Sequence, residues 1–265
     1  VESSRRPAVR GAQAVARAAA LLRLVSAAGA DGVSLAELAR RVELTRPTAH
    51  RLLTALEREG LVEQDGSSGA WLAGLDLYLM GRSAAARYDV TGLARDIVHS
   101  LATRTEESAF LSARRGDETV CVLREDGSFP IRSFVLYEGV RFPLGVASAG
   151  MAILAFLADH DVDAFLRRNP DLERAWGPEH RPDEVRSRVA ETRARGFSVN
   201  PGNIVEGSFG IGAAVFNRAG EPQWALSLTG VQFRFGPDRM PELGRTLLAH
   251  AHALTQRIAT SSAGR

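Results

Sequence analysis

From Ala12 to Ala28 apolar side chains fall at Val15, Ala18, Ala19, Leu22 and Val25, the three- and four-residue steps of an amphipathic helix. Gly29 and Asp31-Gly32 then end it in a turn. Leu35, Leu38, Ala39 and Val42 keep the same spacing in a second, shorter helix. Ser34 stands three residues before Glu37, the spacing at which a serine hydroxyl caps a helix while the glutamate reaches back to the cap's own N–H. Only Glu43-Leu44 separate this helix from Thr45, a second N-cap residue. Pro47 falls in the first turn of the helix that follows, where a missing N–H costs little. Ala49, Leu52, Leu53 and Leu56 form the buried stripe of that third helix and turn Arg46, Thr48, His50 and Arg51 outward near its start.

Helical spacing then gives way to two short strand-like runs, Leu61 to Gln64 and Ala70 to Ala73, joined by Asp65-Gly66-Ser67-Ser68-Gly69. Three helices followed by a small hairpin predict a winged helix-turn-helix over residues 11–73, the wing placed to lie along a phosphate backbone. The mostly apolar Leu75, Leu77, Tyr78 and Leu79 predict a linker helix over 74–87. Beyond it helix and strand alternate. Leu93, Ala94, Ile97, Val98 and Leu101 give a helix, as do Pro182 to Arg195, ended by Gly196, and Met240 to Ile258. Glu118 to Leu123, Ile131 to Val135, Phe209 to Phe216 and Trp224 to Val231 read as strands. The expectation for residues 88–260 is an α/β (α+β) domain with helices on one side of a mostly antiparallel sheet. Residues 1–10 would form a flexible basic arm and 261–265 a disordered tail.

Charge sharpens this division. All 33 basic residues are arginine, and the whole chain carries a net charge of only +2. Residues 1–58 alone hold ten arginines against five acidic residues, so the basic surplus sits with the helix-turn-helix. That polarity suits a domain facing DNA joined to one with no use for it. In such a motif the start of the second helix enters the major groove, so Thr45, Arg46, Thr48, His50 and Arg51 are the candidate reading residues, with Arg5 and Arg6 in the arm as candidate phosphate or minor-groove contacts. The alanine-rich run after Arg5-Arg6 is interrupted by Arg17 and Arg23, so it lacks the uncharged core of an export signal. No membrane span is read, and the expected location is the cytoplasm, on the nucleoid.

Catalytic chemistry finds little support. Cys121, the only cysteine, lies in an apolar run and reads as a small buried residue. His250 and His252 are two apart on a helix, so their side chains diverge rather than share a metal. No metal and no cofactor are expected, and an enzyme is the weaker reading.

With these elements placed, the chain from about Ala12 to Ala259 resembles the IclR family of bacterial transcriptional regulators. Arg17-Ala18 with Leu21-Leu22 is similar to the family's first helix. Leu35 to Ala39 and Thr48 with Arg51-Leu52-Leu53 resemble its helix-turn-helix, and Trp71 to Gly74 its wing exit. In the second half Pro143-Leu144, Ala147 to Gly150, Arg195-Gly196-Phe197, Glu206-Gly207 and Ala225 to Gly230 resemble its effector-domain landmarks. The resemblance implies a GAF-like α/β domain that binds a small-molecule effector, in a homodimer or dimer of dimers on double-stranded operator DNA. It would line the effector pocket with Ser148, Ala149, Gly150, Asn200, Gly210, Ser227 and Thr229. The chain departs from the family's frequent residues at Gly145, Met151, Asn200, Gly210 and Pro47, so the effector does not carry over. If Ser148 and Gly150 open a helix continuing through Met151, Leu154 and Leu157, its free N–H groups make an anion cradle suited to an organic carboxylate. The alternative is an effector-independent DNA-binding module whose second domain serves only assembly.

Overall fold

The structure, a computed structural model, describes residues 12–85 and 90–261. Arg5, Arg6 and the rest of the basic arm, residues 86–87 of the linker and residues 262–265 of the tail lie outside the described residues. Two compact units divide the chain, the break falling within 86–89.

The first unit holds α1 (Gln13–Ala27), α2 (Leu35–Arg41), α3 (Arg46–Arg58), β1 (Val62–Gln64), β2 (Trp71–Ala73) and α4 (Leu75–Ala85). Ser34 caps α2, its hydroxyl accepting the Glu37 N–H at 3.2 Å. The reciprocal half of the capping box does not form. Arg40 takes the Glu37 carboxylate through two guanidinium N–H groups, at 3.1 and 2.7 Å, and a two-pronged charged partner outcompetes a single backbone N–H. That pair holds the Glu37 carboxyl below its ordinary range. Glu43 makes the tight turn into α3 with a φ of 55°, and the next N–H, of Leu44, reaches back to the Ala39 carbonyl at 2.9 Å.

Leu21, Val25, Leu38, Leu53 and Leu56 close the core of this unit together with Val62 and Trp71 of the hairpin. Val15, expected in the buried stripe, is 70% exposed. The 15-residue α1 outreaches the 7-residue α2 beside it, so inward packing begins only at Ala18. Val62 pairs with Ala73 and Gln64 with Trp71 across the wing, and Val33 adds a bridge to Trp71. Asp65 ties the wing loop, its Oδ2 accepting from the hydroxyls of Ser67 and Ser68, each at 2.6 Å, and from the Ser68 N–H at 2.7 Å. Those bonds hold its carboxyl down at about 2. α4 leaves Leu75, Tyr78 and Met80 exposed.

The second unit contains α5 (Val90–Thr105), β3 (Ser108–Arg115), β4 (Glu118–Glu125), β5 (Arg141–Pro143), α6 (Ser148–Ala155), α7 (Asp159–Arg168), α8 (Leu172–Trp176), α9 (Pro182–Arg195), β6 (Ser198–Asn200), β7 (Ser208–Phe216), β8 (Pro222–Val231) and α10 (Met240–Thr260). Its six strands pair antiparallel throughout in the order β5-β4-β3-β8-β7-β6. Helices cover both faces, not one. Ala109, Leu111, Ile211, Ala213, Leu226 and Leu228 pack with α5 and α10, while Phe110, Cys121 and Ala225 pack with α6, α7 and α9. The runs Phe209 to Phe216 and Trp224 to Val231 are apolar at nearly every position, which is the signature of a sheet buried on two sides.

Ile131 to Val135 is not a strand. It has no ladder partner, and Ile131 and Phe134 are 56% and 73% exposed. The sheet instead takes the shorter β5, together with β3 and β6, none of which the sequence pattern singled out. α9 ends where Gly196 adopts a left-handed φ of 86°, as read from the sequence.

Candidate functional site

On α3 the candidate reading residues sit at the start of a helix whose buried side is Ala49, Leu53 and Leu56. At about 100° per residue Arg51 lies about 200° round from Ala49, on the outermost line of the helix. Arg46, His50 and Arg51 are exposed, and among the described residues neither arginine has an acidic partner. His50 flanks the stripe and sets its ring edge against Trp71, 6.4 Å between centroids, so hairpin and helix share a contact. Thr45 stands at the N-cap but does not cap through its side chain. Its hydroxyl donates instead to that of half-buried Thr48 at 2.9 Å, which leaves the Thr48 proton to be offered outward. The wing carries Glu63 and Asp65 and no arginine, so any phosphate contact it makes falls to Ser67, Ser68 and backbone N–H groups.

A cavity of about 30 Å³ lies in the second unit between the sheet and the start of α6. Of the seven candidate effector residues, Ser148, Ala149, Asn200, Gly210 and Thr229 line it. Gly150 and Ser227 do not. Gly150 faces the backbone of Pro143 to Gly145, 3.2 Å from the Leu144 Cα to where a Cβ would stand, and Ser227 is wholly buried in β8 with its hydroxyl unpartnered. Gly212 lets α6 approach the sheet: a Cβ there would fall 2.6 Å from the Ser148 carbonyl oxygen. Ser198 fastens the same oxygen from β6 with a 2.6 Å hydrogen bond. α6 opens at Ser148 as expected but closes at Ala155, before Leu157. Arg193 of α9 stops it there, its Nε donating to the Ala155 carbonyl at 2.5 Å and its Nη2 to that of Leu157 at 2.9 Å.

Asn200 is a brace more than a free group. Its amide donates to the Val146 carbonyl at 2.8 Å and accepts the Asn203 N–H at 3.0 Å. The cavity also gathers Ser112, Thr119 and Ser208, which sequence reasoning missed, though Ser112 is a polar position between apolar neighbours on its strand and Thr119 opens the apolar run of β4. Two loops close it from outside, contributing Val135, Leu136, Ile204 and Val205, and a 2.8 Å hydrogen bond between the hydroxyls of Ser133 and Ser208 ties the first of them to the start of β7. Among the described residues no charged side chain lines the cavity, and the first N–H groups of α6 bring positive potential to it. Cys121 lines it too, but burial pushes its thiol up to about 12, far from a nucleophile at neutral pH.

The chain matches two family models in succession, the IclR helix-turn-helix domain over residues 14–66 and the bacterial transcriptional regulator IclR C-terminal domain over residues 82–256. The transcriptional repressor IclR of Escherichia coli is 27% identical over 250 residues, 94% of this chain and 91% of the repressor. An IclR transcriptional regulator of known structure from Alicyclobacillus acidocaldarius superposes with a TM-score of 0.73 at 25% identity, over 93% of this chain and 98% of that one. An IclR homologue from Microbacterium hydrocarbonoxydans, solved in complex with 4-hydroxybenzoate, shares the fold with a TM-score of 0.72 at 20% identity, over 94% of this chain and all of that one. These relatives are regulators of transcription and not enzymes, and the winged fold of the first unit is that of their DNA-binding domain. The chain belongs to the IclR family of bacterial transcriptional regulators.

Proposed function

We propose that this regulator binds a pseudo-palindromic operator as a homodimer or dimer of dimers and is controlled by a small organic acid or aromatic metabolite held in the second unit. In this reading residues 11–73 are the reading domain, 74–87 the linker helix that carries the signal and 88–260 the sensor, at work in the cytoplasm on nucleoid DNA. The observation that carries the DNA assignment is Arg51, exposed opposite the buried stripe of α3 and, among the described residues, with no acid to neutralise it. A planar guanidinium so placed suits a guanine edge in the major groove. Selection of bound DNA from a random pool, repeated over a range of salt, tests this. A symmetric motif supports the reading, and purely salt-sensitive binding without a motif refutes it.

The effector assignment rests on the cavity's chemistry, with hydroxyls and the α6 N-terminus at one end and apolar loop residues at the other. One carboxylate on an apolar body fits it, whereas a second charge would be buried without a partner. At about 30 Å³ the cavity holds no more than a water or two, so a ligand the size of 4-hydroxybenzoate requires the two loops to move outward. Calorimetry with aromatic and aliphatic monocarboxylates, repeated on Ser148→Val, tests the site. Unchanged affinity in the variant refutes it.

A further inference from the structure

A second cleft, of about 500 Å³, opens on the other side of the wall that closes the cavity. Along the segment after β6, Gly202 and Ile204 line the inner cavity while Pro201 and Asn203 line the outer cleft. The floor of the cleft is α9, which presents Arg188, Glu191 and Arg195 at steps of three and four residues on one face, and Glu179 adds a second carboxylate. A row of alternating charge on a helix is most often a solvated surface. Arg188 departs from that pattern: its Nη1 donates to the Glu179 carbonyl at 3.3 Å, but its Nη2 is buried and has no hydrogen-bond partner. Burial also disfavours its charged form. A guanidinium N–H left without an acceptor away from water is costly, and turning the fork toward a carboxylate in the cleft removes that cost.

We propose that this outer cleft is a binding site for a free α-amino acid, its carboxylate on Arg188 and Arg195 and its ammonium on Glu179 and Glu191. A bare anion would bring its charge against two carboxylates, and a bare amine would meet two guanidiniums. A ligand carrying both signs meets each pair with the opposite charge and gives the unmet Arg188 N–H an acceptor. Val199 and Met240 supply an apolar surface for its side chain. An occupant braces Asn203, whose N–H already binds Asn200 at 3.0 Å, and so bears on the wall of the inner cavity. Binding in the outer cleft does not depend on which ligand occupies that cavity.

The test is calorimetric titration of the full chain with each of the standard amino acids, and, for any that bind, with the 2-keto acid and the amine of the same skeleton. The expected result is saturable binding of at least one amino acid and none of its keto acid or amine. Arg188→Met and Glu191→Gln should each weaken that binding by about tenfold or more. Thr229→Val, in the inner cavity, should leave it unchanged. Thermal melts check that Arg188→Met folds, and the exposed Glu191→Gln gives an answer if it does not. Binding by none of the amino acids, equal binding of the keto acid or amine, or loss in Thr229→Val without loss in Glu191→Gln overturns the proposal.

Discussion

Gly212 and Gly210 lie two residues apart on β7 and face the same helix, yet replacing each with alanine should give opposite results. At Gly212 the new methyl would stand 2.6 Å from the Ser148 carbonyl oxygen and 3.0 Å from the Ala149 nitrogen, both backbone atoms. α6 is buried along its whole length and fastened at both ends, so it cannot give way without breaking the Ser198 or Arg193 bonds. Overpacking of this kind costs about 1–3 kcal/mol, set against a gain of roughly 0.4–1 kcal/mol from stiffening the unfolded chain. Gly212→Ala should therefore lose about 1–2 kcal/mol of stability. At Gly210 the methyl would stand 3.1 Å from the Ser148 hydroxyl, a rotatable group, so Gly210→Ala should stay within about 0.5 kcal/mol of the parent. Urea unfolding followed by the fluorescence of Trp176 and Trp224 reads the second unit. Gly212→Ala should also weaken monocarboxylate binding, because the N–H groups at the cavity move with the helix. Equal stability of the two variants would refute the claim that glycine at 212 sets the seat of α6.

Arg51→Ala should weaken operator binding by about 1–3 kcal/mol and relax preference at one base position, measured by fluorescence anisotropy; an unchanged operator affinity would mean that α3 does not dock by this face. Arg193→Ala removes the guanidinium that stops α6 and its 2.7 Å ion pair with Asp159, and should cost about 2 kcal/mol in the same urea assay, while a loss below about 0.5 kcal/mol would show that water replaces it fully. His180 is buried, and burial, with the Arg188 charge beside it, holds its imidazole below the ordinary value of 6.5. Below pH 6.5 the unfolded chain takes up this proton and the folded chain resists it, so His180's contribution is whole above that pH, falls as pH drops, and levels off past the folded-state value. His180→Phe should flatten the decline in stability between about pH 6.5 and 5, and an identical pH profile would remove His180 as its source.

The first unit was legible because its elements are local. A cap, a left-handed turn and an apolar step of three or four residues each act over one or two turns of chain, and Ser34, Glu43, Thr45 and Gly29 mark the boundaries where the helices begin and end. Its one misplaced core residue, Val15, shows what periodicity omits: a pattern gives the face of a helix but not how far its neighbours extend.

In the second unit the determining contacts are distant in sequence, and there the pattern misleads in a consistent direction. Ile131 to Val135 has the composition of a strand but no partner, whereas Arg141 to Pro143 is a strand only because β4 offers an edge to it. Two-sided burial was written in the unbroken apolar runs of β7 and β8, but without knowing that α6 to α9 return to the opposite face such runs do not name their cover. The cavity follows the same rule. Ser148 and Thr229 come together because Gly210 and Gly212 admit the helix to within contact of the sheet, a condition that depends on side chains being absent. Gly150 and Ser227 share their sequence neighbourhoods with those two, but 150 turns to the backbone of Pro143 to Gly145, and 227 lies deeper along its strand under the start of α6. The outer cleft had no sequence signal at all, since Arg188, Glu191 and Arg195 look like any solvated helix face until Pro201, Asn203 and Met240 fold over beside them. What sets a charged residue on this face apart is thus the company brought to it from beyond its own helix, from as far along the chain as Met240, measured by whether its hydrogen bonds are met, and among the described residues Arg188 is the one on this face with a buried N–H left unmet.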